Sequence, residues 1–526
     1  MQKLQLNQEL LDNRSFWDNK NVILPQFDRK SLPVRSLSFS AGRMAYGHTG
    51  DILQDILNDD PSAGAMAGIE TYACKYCEEL AKADYLQTQL IFENEKGKGK
   101  AKIQGAVKKV LFIDSDQKSK TWQEMMAMAH DPGVQWATIN APEGVYGVSY
   151  SDGDYAAPAN PKLISDMENG TTETDPAKWT AFACERFKAG HPFALVSCTN
   201  FSGNGHYTRA TVRTVAKAWE ERGFAPEGFE QYIADPQRFS FPNTMIDRIA
   251  VAPEERALKI MDQLGIESNL IVTEECRYWA VEDLFPAGRP AFENAEGVFM
   301  CPDYNDVKRY EDMKLRILNM SHSLIAGLGI LLGYRGTYGI YRAMQDKDIT
   351  TLIDRIIKIV LQTVVRPQQM EPADFARDTI ARLNNPNIPD DPMRIAFNGS
   401  TKMKPRFLDT YFAGLQKGIG ADSLDVVLLP VAGFLRYTLG IDDAGGRYDL
   451  ENDPLKDLLL QCGGAAKLGE PESVAAFKSC IEHADMMGTD LYGQGDAGKR
   501  LEKMTAAMLA QPGAVRATMQ RILAAN

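Results

Sequence analysis

The stretch Arg35–Gly50, RSLSFSAGRMAYGHTG, decides how the chain is built. Leu37 and Phe39 alternate with serines over Arg35–Phe39, which reads as a short strand. Glycines at 42, 47 and 50 then punctuate a turn, and Gly50–Asn58 repeats apolar residues at helical spacing. Working outward, Ala63–Ile69, Lys109–Ile113, Val134–Ile139, Phe193–Cys198 and Asn269–Thr273 are the further strand candidates, with a helical segment at Arg209–Arg222. Strands alternating with helices are the mark of an α/β domain.

The second half has a different period. Arg309–Leu332, Ile349–Val365, Pro372–Leu383, Lys404–Gly418, Leu424–Leu439 and Val474–Glu482 all carry helical spacing, and strand signals nearly vanish. At 526 residues the chain exceeds one ordinary core. The predicted architecture is an α/β domain over residues 1–300 followed by a mostly α-helical domain over 301–526, the boundary lying between Ala287 and Val307. Asn94–Lys102 (NEKGKGKAK) reads as a solvated hairpin, and polar Ser151–Pro176 as a long surface excursion.

Composition removes several function classes. A net charge of −12 with no basic run argues against a nucleic-acid partner. The N-terminus lacks the apolar core of a signal peptide, and the most apolar stretch, Ser323–Tyr334, is too short to span a bilayer. A cytoplasmic protein without a membrane partner is expected. Eight scattered cysteines form no disulfide framework; Cys74 and Cys77 make one CxxC, read as structural. None of the six histidines has metal-ligand spacing to another, and the acids of Ile441–Pro454 do not fit a calcium loop, so no metal is expected.

The segment richest in chemistry is Tyr310–Tyr334, YEDMKLRILNMSHSLIAGLGILLGY. At about 100° per residue, Glu311, Lys314, Leu318, His322 and Ile325 fall within one arc, with Asn319 at its edge. Apolar neighbours can desolvate a lysine and lower its pKa toward neutrality, which suits a general base. An asparagine amide beside it can donate to a developing oxyanion. The bland alternative is a buried polar cluster that tethers elements of the fold.

Lys314, Asn319 and His322, spaced five and then three residues apart, resemble the active-site signature of the mannitol dehydrogenase family, the polyol-specific long-chain dehydrogenases. SCTNFSGNG at 197–205, FPNTMIDRI at 241–249, WAVEDLFPAGRPAFE at 279–293 and RIAFNGSTK at 394–402 resemble further blocks of that family in the same order. The resemblance implies a Rossmann-like dinucleotide-binding domain and a helical catalytic domain. It implies that Lys314 is the general base, that Asn200 and Asn319 are the amide donors to the alkoxide, and that His322 orients substrate. Arg394 and Lys402 match positions that hold substrate hydroxyls, Asp247 an acid near nicotinamide and substrate, and Glu311 a glutamate that relays protons from Lys314. A substrate carboxylate would need one further basic group, which the sequence does not place.

The cofactor loop departs from the family pattern. Ser40 replaces the first glycine of the usual Gly-x-Gly, Gly42 keeps the second, and Arg43 stands where a small residue is usual, while Gly47 and Gly50 remain for tight packing. TINAPEG at 138–144 resembles a cofactor-side block, with Glu143 as its candidate contact. Glu70, closing the second strand, is placed to accept from the adenosine ribose and to repel an extra phosphate. NAD is therefore expected, with NADP admissible through Arg43. The leading reading is an NAD(P)-dependent, metal-independent oxidoreductase that interconverts a secondary alcohol of a polyol or sugar acid and its ketose, of the mannonate/fructuronate or mannitol/fructose type, as a monomer or small homo-oligomer. A cofactor-retaining epimerase or isomerase of a hexuronate is the alternative, because Lys314, Asn200 and Asn319 would serve enolisation equally well. A catalytically silent binding protein is disfavoured by the full set of chemical residues.

Overall fold

The computed structural model of the chain describes residues 3–94, 98–149 and 153–525. It forms two compact units, the division falling between Lys308 and Arg309. The expected division at residue 300 would cut the strand Val298–Cys301, which pairs with Tyr278–Glu282 and so stays with the first unit.

In the first unit, strands β1 (Val34–Phe39), β2 (Ala65–Glu70), β3 (Val107–Phe112), β4 (Trp136–Ile139), β5 (Phe193–Ser197) and β6 (Phe239–Ser240) form one parallel sheet. Their order is β6-β5-β4-β1-β2-β3, so the winding reverses between β1 and β4. That is the Rossmann order, whose ligand crevice opens at the carboxyl ends of the strands on either side of the reversal. Both faces are buried. On one, Leu37, Phe39 and Leu195 join α2 (Lys120–His130), α3 (Asp175–Ala189) and α4 (Asn204–Glu221) in one apolar cluster. On the other, Met66, Trp136 and Val196 cluster with Ile52, Leu53 and Ile56 of α1 (Gly50–Asp59). Burial on both faces explains why these strands read as short apolar runs.

Asn269–Thr273, expected as a strand, is one (Leu270–Glu274), but it belongs to a second, five-stranded sheet with Gln87–Phe92 and Gly99–Gln104. A third sheet joins Thr244–Asp247, Tyr278–Glu282 and Val298–Cys301. The expected solvated hairpin at 94–102 is corrected in part. Residues 95–97 lie outside the described ones, but Gly99–Gln104 pairs along Gln87–Phe92 and sends Lys102 into the interior. Of the expected excursion at 151–176, residues 151 and 152 lie outside the described ones. The rest is ordered: Pro161–Asn169 is a helix, and Asp166 accepts hydrogen bonds from the backbone amides of Glu173 and Thr174.

The second sheet is bound to α1 by a buried ion cluster. The Asp51 carboxylate, 2 % exposed, accepts from Lys102 (2.6 Å), Gln104 (2.8 Å), Arg248 (2.5 Å) and Arg277 (2.8 Å). Burial alone would raise its pKa, but the cations around it hold it far below the usual carboxylate range.

In the second unit helices dominate, and among the described residues no strand follows Val298–Cys301. Helix α5 (Tyr304–Lys314) runs on through a wide turn at Leu315–Asn319, helix α6 (Met320–Leu324) and a second wide turn at Ile325–Gly329. The helices α7 (Lys347–Thr363), α8 (Pro372–Leu383), α9 (Asp409–Gln416) and α10 (Ala421–Tyr437) follow the expected periodicity closely. The last is buried almost throughout and packs against the wide turn at Ile325–Gly329. Among the described residues no helix is long and apolar enough to cross a membrane.

Removing one partner from a buried ion cluster costs about 3–5 kcal/mol, because the remaining charges stay desolvated. Asp51→Asn is therefore expected to destabilise the unfolding transition of the first unit by that order, read from denaturant melts of wild type and variant. Because the folded carboxyl lies below its unfolded value of about 4, its contribution is complete at neutral pH and fades as pH falls below that value. The variant should lose that part of the acid-induced destabilisation.

Candidate active site

Within the first unit a cleft of about 700 Å³ opens at the carboxyl ends of β1, β2 and β4. Ser40, Gly42, Arg43, Glu70 and Asn140 line it. The helical path that ends in α1 begins at Arg43, so the first amides of a helix, which have no intrahelical partners, stand at the cleft as an anion site. A Cβ on Gly42 would meet nothing within 4 Å, so this position leaves room for close approach. Gly50 is needed for another reason. Ala45–Thr49 is a wide turn closed by the Gly50 amide bonding five residues back to Ala45, and a Cβ on Gly50 would lie 2.4 Å from that carbonyl oxygen.

Glu70 ends β2 as expected and is nearly buried. Its Oε1 accepts from the amides of Thr71, Tyr72 and Ala73 at 3.0–3.3 Å, and its Oε2 from Ala41 at 3.3 Å. These bonds fix the orientation of the carboxylate at the cleft edge, with one lone-pair direction of Oε2 still to spare. Asn140 is a residue that sequence reasoning missed. Both its amide atoms are buried without a hydrogen-bond partner among the described residues, and it lines the cleft. An orphaned amide there needs a ligand that both donates and accepts. Asn140 lies within TINAPEG, the block in which Glu143 was the expected contact; Glu143 is exposed and does not line the cleft. Gly42, the helix start, Glu70 and Asn140 together fit a dinucleotide.

Asn200 is exposed in the loop after β5, and Asp247 is the buried last residue of its strand. Asn243 accepts at Oδ1 from the amides of Gly205 and His206, which open α4, and donates 2.8 Å to Glu282. Glu282 thus serves Asn243, whereas Asp283 pairs with Arg289. Arg248, next to Asp247, reaches Asp51. Cys77 is buried and its thiol is pushed up to about 12 by burial, so this member of the CxxC offers no ready thiolate. The acids at 441–454 shape turns: Asp442 accepts from the amides of Ala444 and Gly446, and Asp443 from Val515 and Arg516.

In the second unit, Glu311, Lys314 and His322 are buried. Straight α-geometry left Asn319 at the edge of their arc. The wide turn at Leu315–Asn319 corrects this: the Met320 amide bonds five residues back to Leu315, so the turn takes up one extra residue. Residues five apart then share a face, which brings Asn319 into line with Lys314 and, three residues on, with His322. Arg316 anchors the stretch by donating from Nε to Thr410 at 2.9 Å.

His322 stands 3.7 Å from Asp390, which takes two bonds from Arg394, the shorter at 2.7 Å. Burial, reinforced by Arg394, Arg382 and Arg406, outweighs Asp390 and lowers the His322 pKa to about 4. The ring is therefore neutral near pH 7, with one nitrogen able to donate and the other to accept a hydrogen bond. Lys402 donates to the carbonyls of Ile395 and Phe397, and burial with Arg406 lowers its pKa to about 7. Arg406, unmarked in the sequence, donates from Nη1 to the Asn319 carbonyl (3.1 Å) and to Ser323 Oγ (2.6 Å). Among the described residues no group of three or more His, Cys, Asp or Glu side chains is arranged to hold a metal.

Comparison with known proteins places this arrangement. Residues 35–294 match the mannitol dehydrogenase Rossmann domain and residues 306–491 the mannitol dehydrogenase C-terminal domain. A D-mannonate oxidoreductase of Thermotoga maritima is 29% identical over 99% of both chains. A mannitol 2-dehydrogenase of Emericella nidulans is 29% identical over 84% of this chain and 83% of its own. The solved Pseudomonas fluorescens mannitol 2-dehydrogenase, in ternary complex with NAD and D-mannitol, superposes with a TM-score of 0.79 at 22% identity, covering 99% of this chain and 100% of its own. With both of its units matched in chain order, the chain belongs to the mannitol dehydrogenase family and is a dehydrogenase of the polyol and sugar-acid class.

Proposed function

We propose that the protein interconverts a secondary alcohol of a hexitol or hexonate, of the mannitol or mannonate kind, and the matching ketose, with NAD preferred and without a metal. The observation that carries this reading is the shared face of Lys314, Asn319 and His322 on a buried helix, beside Arg394 and Lys402. Oxidising an alcohol requires its hydroxyl to lose a proton and the resulting alkoxide to be stabilised until hydride departs. Lys314 takes that proton, and Glu311, one turn earlier and also buried, passes it on. Asn200 and Asn319 donate to the alkoxide, while neutral His322 with Arg394 and Lys402 holds the neighbouring hydroxyls. Asp247 orients the reacting carbinol. Ser40, Gly42, Arg43, Glu70 and Asn140 would hold the cofactor, which when bound supplies a nicotinamide ring as hydride acceptor.

Lys314→Ala should lower the oxidation rate about 10²–10⁴-fold, the usual range for a general base. The rise of kcat with pH should disappear in this variant and persist in Lys402→Arg, which keeps Lys314 but removes the Lys402 amine, whose pKa burial lowers to about 7. Near-normal turnover of Lys314→Ala at saturating substrate overturns the assignment.

The lysine and the amides supply what zinc supplies in other alcohol dehydrogenases. Chelator-treated enzyme should therefore keep its activity, and elemental analysis of active protein should find no stoichiometric metal. Activity lost to chelation and restored by zinc would remove the amide pair from its role.

Glu70 should set cofactor choice, because a fixed carboxylate at the ribose repels a 2′-phosphate. In wild type kcat/KM should favour NAD, and Glu70→Ala should shift the NAD/NADP ratio toward NADP while weakening NAD. An unchanged ratio excludes Glu70 from the ribose site.

A further inference from the structure

Arg406 is placed for a task that its contacts within the chain do not complete. Its Nη1 is used by the Asn319 carbonyl and Ser323 Oγ, both uncharged acceptors. Its other edge, Nε with Nη2, has no hydrogen-bond or ion-pair partner among the described residues, and neither atom is sealed from solvent. Burial brings the guanidinium down to about 9. A desolvated cation with no carboxylate against it is costly, and proteins keep such groups where an anion arrives.

The surroundings add to this charge. Lys402 and Arg394 act electrostatically on the same spot, for Arg406 is the strongest charge acting on Lys402 and Arg394 a further one. The nearby acids are engaged elsewhere: Asp390 takes both bonds from Arg394, and Asp453 accepts from the amide and the hydroxyl of Ser400. Asp390 thus answers Arg394 and Asp453 acts on Lys402, while Arg406 itself has no acid paired with it among the described residues. The open Nε/Nη2 edge of a guanidinium matches the two oxygens of a carboxylate, a fit that a hydroxyl cannot reproduce. Arg406 also holds the backbone carbonyl of Asn319, so the guanidinium is anchored to the residue whose amide the proposed reaction uses.

Resting on the reading of the protein as a polyol or sugar-acid dehydrogenase, we propose that Arg406 binds the carboxylate of the substrate, and that the enzyme acts on hexonates and their keto acids in preference to neutral hexitols. This is the further basic group that a sugar-acid substrate requires.

The test compares kcat/KM for a hexonate and for the hexitol of the same configuration, in wild type, Arg406→Lys and Arg406→Gln. Wild type should favour the hexonate on the order of 30-fold or more, the loss expected when a buried charge pair lacks one partner. Arg406→Gln should collapse the hexonate/hexitol ratio at least tenfold, and Arg406→Lys should retain part of it. A purely structural role, through the bond to Asn319, would lower both substrates together and leave the ratio unchanged, which overturns the proposal. A wild-type enzyme that prefers the hexitol overturns it as well. If neither compound is oxidised, the dehydrogenase reading of the site fails on its own account. Calorimetric binding of the hexonate then still decides the role of Arg406: binding by wild type that Arg406→Gln abolishes upholds it, and no binding by wild type refutes it.

Discussion

The first unit depends on a single buried carboxylate. Asp51 sits in the first turn of α1, directly after the loop that carries Ser40, Gly42 and Arg43, and its oxygens gather Lys102, Arg248 and Arg277 from separate segments of the chain. Exchanging such a cluster for apolar groups can leave stability unchanged or raise it, so its value is one of registration. The Ser40–Arg43 loop is fixed through α1, and Asp247 is tied to the cluster through its neighbour Arg248. One desolvated charge thereby sets the positions of two elements that lie far apart in sequence.

Much of the fold was legible because its strands are buried on both faces and its helices have one apolar side. Pro372–Leu383 matches its predicted limits, and β1 and β5 differ from prediction by one residue at one end. What stayed hidden follows a common cause. Asp51 and Lys102 are charged residues in segments whose period or composition points to solvent, and only the pairing of distant strands shows that they face inward. Arg406 was invisible for the same reason, lying in a helical run where a basic residue ordinarily meets water. Asn140 stood inside a block already singled out, yet a neutral amide gives no reason to choose it over a neighbouring glutamate until its missing partners are seen.

The two units tune charge in opposite ways. Glu70 receives four backbone amides, so its charge is held in place before any ligand arrives. His322, Lys402 and Arg406 all have their pKa values lowered by burial, and Asp390 offers only partial relief. The first arrangement favours a rigid contact and the second a contact whose strength rises when an anion enters. A pre-paired acid suits a cofactor bound in one pose. Under-compensated bases suit a substrate whose own charge completes the site.

The wide turns in the helical paths carry a consequence for comparing relatives. A turn closed by a bond five residues back holds one residue more than an α-turn while leaving the flanking helix on its original faces. A chain one residue shorter through Leu315–Asn319 would close the same gap as an ordinary turn, and the apolar stripe beyond it would stay in register. Length differences inside this helix are therefore silent to its packing, and an ungapped alignment across it would pair residues that occupy different places. Equivalence between homologues should be assigned there by the hydrogen-bond register, and counting along the chain can mislead.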